Sequence, residues 1–102
     1  MPRDFRLALA QINPTVGDIQ GNTAKMLEYV DRARAARADL IAFPELSITG
    51  YPPDDLLFKP SFLKDNLAAM QEVVQASHGI AVVVGYVSIE PDISNAAALA
   101  YD

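Results

Sequence analysis

The sequence contains no cysteine and only one histidine, His78. These residues therefore supply no disulfide, no thiolate metal site and no cysteine nucleophile, and one histidine cannot build a zinc site of histidine and cysteine ligands. The glycines nowhere form the patterns GxGxxG or GxxxxGKS/T, so a loop that cradles phosphate is not indicated. We expect no metal site in these residues.

Basic residues are also few, since 8 of them stand against 13 acidic residues and give a net charge of −5. That balance disfavours a basic surface for nucleic acid. Arg32, Arg34 and Arg37 cluster in a predicted helix, where charged residues of both signs favour a solvated face. The first residues hold only a short apolar run, so neither a signal peptide nor a membrane span is predicted and a cytoplasmic protein is the default expectation.

The composition is that of a globular domain, because 51% of the residues are hydrophobic and 21% are charged. A chain of 102 residues is the size of one small domain or of a piece of a larger one. No internal repeat, low-complexity tract or linker divides it.

Hydrophobic patterning predicts an α/β fold. Apolar runs predict buried strands over residues 5–12 and 39–43. A valine-rich run predicts a third strand over residues 80–89, and a fourth strand is predicted to begin at about residue 95. Strand, helix and strand in succession predict a parallel pair joined by a crossover, whereas the short turn at 90–92 predicts an antiparallel hairpin.

Two helices are predicted, over residues 23–38 and 60–77. Asn22 or Thr23 is the candidate N-cap of the first helix. The expected buried stripe of the first helix is Met26, Val30 and Ala33. The expected stripe of the second helix is Leu63, Leu67, Met70 and Val74.

Glu45 is the candidate catalytic residue. It directly follows the predicted strand over residues 39–43, and ligands of open α/β sheets bind at the carboxyl ends of the strands. Partial desolvation there makes a carboxylate a competent general base near neutral pH. By position alone, the commoner explanation is a loop carboxylate that caps the next turn or faces solvent.

Tyr51 is the second candidate, because its ring and polar tip could form the wall of a small-molecule pocket. The alternative is a packing tyrosine that pins its loop to the sheet. Asp54 is better explained as the cap of a short helical turn, and His78 as a residue that ends a helix before Gly79.

A longer motif carries a family resemblance. The run FPELSITGY at residues 43–51 resembles the glutamate motif of the nitrilase, or carbon–nitrogen hydrolase, superfamily. Its extension PPDDLLFKPSFL at residues 52–63 is similar to one branch, the amino-terminal glutaminase domains of glutamine-dependent NAD synthetases. Supporting matches are AQINP at 10–14, VGD at 16–18 and SNAAA at 94–98.

The resemblance implies a mechanism with glutamate, lysine and cysteine. Glu45 would be the general base that deprotonates the cysteine, and the thiolate would attack the side-chain amide of glutamine. The family fold is an α-β-β-α sandwich, of which this segment would supply an incomplete part. Nitrilase-like domains generally form homo-oligomers, and the parent would carry a synthetase domain that uses ATP and magnesium to amidate deamido-NAD.

The sequence departs from the family pattern, because it has no cysteine and none of its lysines matches the catalytic lysine. We therefore expect these residues alone to be inactive and, with an alanine-rich strand left at an edge, marginally stable or self-associating. Alternatives are another nitrilase branch, such as an ω-amidase or carbamoylase, and a non-catalytic α/β binding module.

Overall fold

A computed structural model describes residues 4–89 and 93–101. Four strands form one sheet in the order β1 (Leu7–Leu9), β2 (Leu40–Ala42), β3 (Ala81–Ser88) and β4 (Ser94–Ala100). The first three strands are parallel and β4 runs antiparallel to β3, which confirms the predicted parallel pair β1–β2 and the predicted hairpin. The turn predicted at 90–92 lies outside the described residues.

Two helices fill the crossovers between the parallel strands. Helix α1 (Ile19–Ala35) joins β1 to β2, and a 3-10 helix (Asp54–Phe58) followed by α2 (Pro60–Gln75) joins β2 to β3. The predicted cap by Asp54 is wrong, because Asp54 lies inside the 3-10 helix and no side chain caps that helix. Neither α1 nor α2 is both long and apolar enough to cross a membrane.

Helix α1 begins four residues before the predicted start. Its N-cap is Asp18, whose carboxylate accepts a hydrogen bond of 3.0 Å from the backbone N–H of Gly21. The prediction of Asn22 or Thr23 as the cap is therefore wrong, and both residues are buried inside the helix. Asn22 uses its amide group elsewhere, since it bonds the backbone of Thr15 and Ile48.

The buried stripe of α1 is confirmed, whereas that of α2 is displaced by one residue. The buried residues of α2 are Phe62, Asn66, Ala69 and Val73. Each precedes one member of the predicted stripe, whose residues are only half-buried. Asn66 accounts for the displacement, because its side chain must turn toward the sheet. Its amide accepts from Val87 N at 2.9 Å and donates to Val87 O at 2.6 Å. A hydrophobic pattern cannot place a polar residue in the core.

The sheet has two unequal faces. Successive residues of a strand point to opposite faces, and paired residues of neighbouring strands share one. On the covered face, both helices pack over Ile41, Val82 and Val84, which are at most 2% exposed. On the open face, Leu7, Leu9 and Leu99 are 51%, 67% and 60% exposed.

The prediction of a buried first strand is therefore wrong. Strand β1 is an edge strand of three residues, and only its central Ala8 turns toward the helices. Its hydrophobic residues satisfy the pattern of a strand covered on both sides, but the described residues cover one side only. The structure is thus one sheet layer and one helix layer, a part of the four-layered sandwich that the resemblance implies.

Candidate functional site

Glu45 begins a tight turn at the carboxyl end of β2. Pairing of the strand continues through Phe43, whose N–H donates to Val83 O at 3.1 Å, and the chain then turns at residues 45–49. Leu46 has a φ of +50°, a conformation uncommon for a residue with a side chain, and is 4% exposed. Packing of Leu46 therefore holds the turn, and Glu45 with it, in one conformation.

Gly85 lets this turn lie directly against β3. A Cβ at position 85 would stand 2.7 Å from the backbone N of Leu46 and 3.4 Å from the Cα of Glu45. Residues two apart in a strand point to the same face, so Gly85 shares the open face with Val83. The turn that a Cβ at position 85 would meet therefore lies on the open face of the sheet. The glycine within β3 thus provides the space in which the Glu45 turn sits.

Asn22 fixes the same turn from the helix side. Its buried amide donates to Ile48 O at 2.9 Å and to Thr15 O at 2.8 Å, and it accepts from Thr15 N at 2.8 Å. The adjoining loop adds a bond of 2.9 Å from Gly17 N to Thr49 O. Because the buried amide of Asn22 is paired with the backbone on both sides, the loop before α1 and the turn after β2 form one rigid unit.

A shallow pocket of about 300 Å³ lies beside Glu45. Its walls come from the end of β2, the middle of β3 and the start of β4. The lining residues are Phe43, Pro44, Glu45, Val83, Gly85, Asn95, Ala96 and Ala97. Glu45 is exposed there, so the described residues do not provide the desolvation that the sequence argument expects.

Asn95 reaches Glu45 across this pocket. Its side-chain N–H donates to Oε1 of Glu45, although the two residues are 50 positions apart in the sequence. Asn95 lies in β4 opposite Val87 of β3. The sequence reasoning did not select Asn95 as a site residue. The predicted hairpin was the available signal, because it returns the start of β4 to the strand ends where Glu45 lies.

Tyr51 is not brought to this pocket. It is 65% exposed and is not among the lining residues, and the peptide bond that joins it to Pro52 is cis. Its role as a pocket wall stays a prediction. Asp54 and Asp55 are exposed beyond it.

The residues that the structure describes do not bring together the ligands of a metal site. Among them, no group of three or more histidine, aspartate or glutamate side chains could hold a metal ion. The resemblance implies ATP and magnesium for the synthetase domain of the parent protein, and no group of this segment is assigned to them.

A family model described as carbon–nitrogen hydrolase matches residues 6–100. A glutamine-dependent NAD(+) synthetase of Thermotoga maritima is 41% identical over 100 residues, which cover 96% of this chain and 17% of that protein. This chain thus spans about a sixth of the length of that curated relative.

Solved structures give two further likenesses. The glutamine-dependent NAD+ synthetase of Acinetobacter baumannii, in complex with adenosine diphosphate, has a TM-score of 0.79 and 39% identity, covering 96% of this chain and 19% of that one. An amidase from Nesterenkonia sp. has a TM-score of 0.84 and 27% identity, covering 95% of this chain and 38% of that one.

Proposed function

The chain belongs to the carbon–nitrogen hydrolase family, and from that premise we propose that it forms the first part of a glutamine amidohydrolase domain in which Glu45 is the general base. The observation that carries the proposal is the position of Glu45. Its carboxylate follows β2, lines a pocket on the open face and is held by Asn95. The identity of 41% to a glutamine-dependent NAD(+) synthetase supports glutamine as the amide substrate.

The chemistry of Glu45 is proton transfer. Its carboxylate takes the proton of a cysteine thiol, and the resulting thiolate attacks the side-chain amide carbon of glutamine. The tetrahedral intermediate collapses to a thioester as Glu45 returns its proton to the leaving nitrogen and ammonia departs. The carboxylate so restored takes a proton from water, whose oxygen attacks the thioester carbon, and Glu45 then returns the proton to the thiolate as glutamate is released.

These 102 residues include no cysteine, and we infer that neither the cysteine nor the lysine that stabilises the oxyanion comes from them. In our proposal both belong to further residues of the same domain, which close over the open face beside Glu45. The 102-residue chain by itself would then be inactive, and ammonia release from glutamine by the purified chain would contradict this assignment.

The parent protein is proposed to be a cytoplasmic, homo-oligomeric NAD synthetase. Ammonia formed beside Glu45 would pass to a synthetase domain of the same chain, where ATP and magnesium drive the amidation of deamido-NAD. The complex of an Acinetobacter baumannii relative with adenosine diphosphate supports a nucleotide site in such a protein.

Replacement of Glu45 by glutamine in the complete protein tests the function. We expect loss of glutamine-dependent NAD formation by at least about 10³-fold, because the general base is removed. Synthesis from free ammonia should remain, since that reaction bypasses the hydrolase site. Asp55→Asn is the matched control, because Asp55 is an exposed carboxylate of the same connection that lies outside the pocket.

A simple amidase is the second candidate function, favoured by the likeness to the amidase from Nesterenkonia sp.. The two candidates share the general base and differ in what ammonia does next. If the complete protein releases ammonia from amides but forms no NAD from deamido-NAD and ATP, the amidase assignment is correct and the synthetase assignment is wrong.

A further inference from the structure

We propose that Asn95 is a positioning residue that holds Oε1 of Glu45 and thereby leaves Oε2 as the oxygen that accepts the proton. The inference rests on the proposed function, since it needs Glu45 to be the base. Asn95 is the polar side chain that joins Glu45 in the lining of the pocket.

The hydrogen bond has one workable direction. An ionised carboxylate only accepts hydrogen bonds, so the amide must present its N–H rather than its oxygen to Oε1. A long, exposed glutamate side chain otherwise samples many rotamers, and restricting it has an entropic cost. Asn95 restricts it before the substrate arrives.

The support of Asn95 is rigid. Strand β4 pairs with β3 over seven consecutive positions, from Ser94 opposite Ser88 to Ala100 opposite Val82. Val87, the residue opposite Asn95, is bonded through its N–H and C=O to the buried amide of Asn66 on α2. Glu45 is thus held between a turn that is locked by Asn22 and a strand that is anchored through Asn66.

In direct hydrogen-bond contact with Oε1, a neutral donor suits a general base better than a cation would. A lysine or arginine at this place would also fix the carboxylate, but a positive charge stabilises the ionised form and weakens its attraction for a proton. No basic residue lines this pocket among the described residues. An amide therefore orients the carboxylate while it remains able to take a proton.

The test uses Asn95→Ala and Asn95→Asp in the complete protein, assayed for ammonia release from glutamine. The alanine variant removes the donor, and the aspartate variant keeps the shape but places a second carboxylate beside Glu45. We expect kcat to fall by roughly tenfold in Asn95→Ala, the effect of losing one hydrogen bond to a charged group. Asn95→Asp should lose at least as much, and the KM for glutamine should stay unchanged in both.

The kcat values of the two variants, compared with each other, distinguish a positioning role from a packing role. A residue that merely fills space would be replaced better by aspartate than by alanine, so wild-type kcat in Asn95→Asp would overturn the proposal. A rise in KM with unchanged kcat would also overturn it. If Asn95→Ala fails to fold, the isosteric Asn95→Asp still decides, and Ser94→Ala serves as the control on the neighbouring residue.

The proposed function can fail separately. Full glutamine-dependent activity in Glu45→Gln would contradict the role of Glu45 and leave Asn95 no base to position. Loss of activity in Glu45→Gln with wild-type kcat in both Asn95 variants would retain the function and reject the positioning role.

Discussion

The two faces of the sheet are built from similar residues and have opposite surroundings. Val82 and Val84 on the covered face are fully buried beneath α1 and α2, whereas Leu9 and Leu99 on the open face are more than half exposed. Each face also has its own polar contact. Asn66 of α2 bonds the backbone of Val87 in β3 on the side of the helices, whereas Asn95 bonds Glu45 on the open face.

This difference separates stability from function. The covered face carries the hydrophobic core that folds the chain, because burial of apolar area is the main favourable contribution to folding. The open face carries the pocket and leaves an apolar surface that the proposed remainder of the domain would cover. Glu45 lies where the two roles meet, since the backbone of its turn is buried and its carboxylate is exposed.

The same substitution on the two faces should give the largest contrast. Val84→Asp places a carboxylate where the side chain is 0% exposed. We expect a loss of more than about 4 kcal/mol of unfolding free energy, so that the 102-residue chain does not fold. Leu99→Asp, at 60% exposure on an edge strand, should cost about 1 kcal/mol or less.

Urea denaturation of the 102-residue chain, followed by far-UV circular dichroism, measures this contrast. In the complete protein the two variants should differ less in unfolding free energy. The open face is proposed to be covered there, so Leu99→Asp would also bury a charge. If Leu99→Asp lowered the unfolding free energy of the complete protein no more than that of the 102-residue chain, the open face would stay exposed in the complete protein.

Gly85→Ala should have an intermediate effect, confined to the open face. The added Cβ would meet a backbone atom at 2.7 Å, so the turn that carries Glu45 must move. We expect a cost of about 1–3 kcal/mol, as for other overpacked sites. Glutamine-dependent activity of the complete protein should fall while ammonia-dependent synthesis is retained.

Gly79→Ala is the matched control. Gly79 has a φ of +72°, but a Cβ there would meet no atom within 4 Å. Its cost of about 1 kcal/mol is therefore backbone strain alone, without displacement of the Glu45 turn. Equal losses of glutamine-dependent activity in the two variants would contradict the role given to Gly85.

The sequence predicts the covered face better than the open one. Periodicity identifies both helices, the parallel strands and the hairpin, because each of these depends on local pattern. It misplaces the stripe of α2 by one residue, since the hydrogen bonds of Asn66 to Val87 join residues 21 positions apart. It also reads β1 as buried, because an apolar run does not reveal which of its sides is covered.

The candidate site shows the same division. The family resemblance of residues 43–63 is confirmed, and Glu45 follows β2 as predicted. Its partner Asn95 could not be chosen from the sequence, because their contact depends on the register of β3 with β4. Gly85 lies inside β3, and the reason for a glycine there is the turn that lies against it, which the sequence does not reveal.

Substitutions in the helix layer should have the smallest effect on the unfolding free energy. They distinguish two kinds of contact made by one side chain. Arg34 donates to the carbonyl oxygens of His78 and Ala76 beyond the end of α2, and it forms a 2.7 Å ion pair with Asp31. The carbonyls are backbone acceptors that the guanidinium reaches as a fork, whereas Asp31 is 77% exposed and its pairing is screened by water.

We expect Arg34→Ala to cost about 1–2 kcal/mol and Asp31→Ala less than about 0.5 kcal/mol in urea denaturation. Arg34→Lys keeps the charge but not the fork, so it should resemble Arg34→Ala. If Arg34→Lys were instead as stable as the wild type, the positive charge, and not the forked contact with the two carbonyls, would account for the contribution of Arg34.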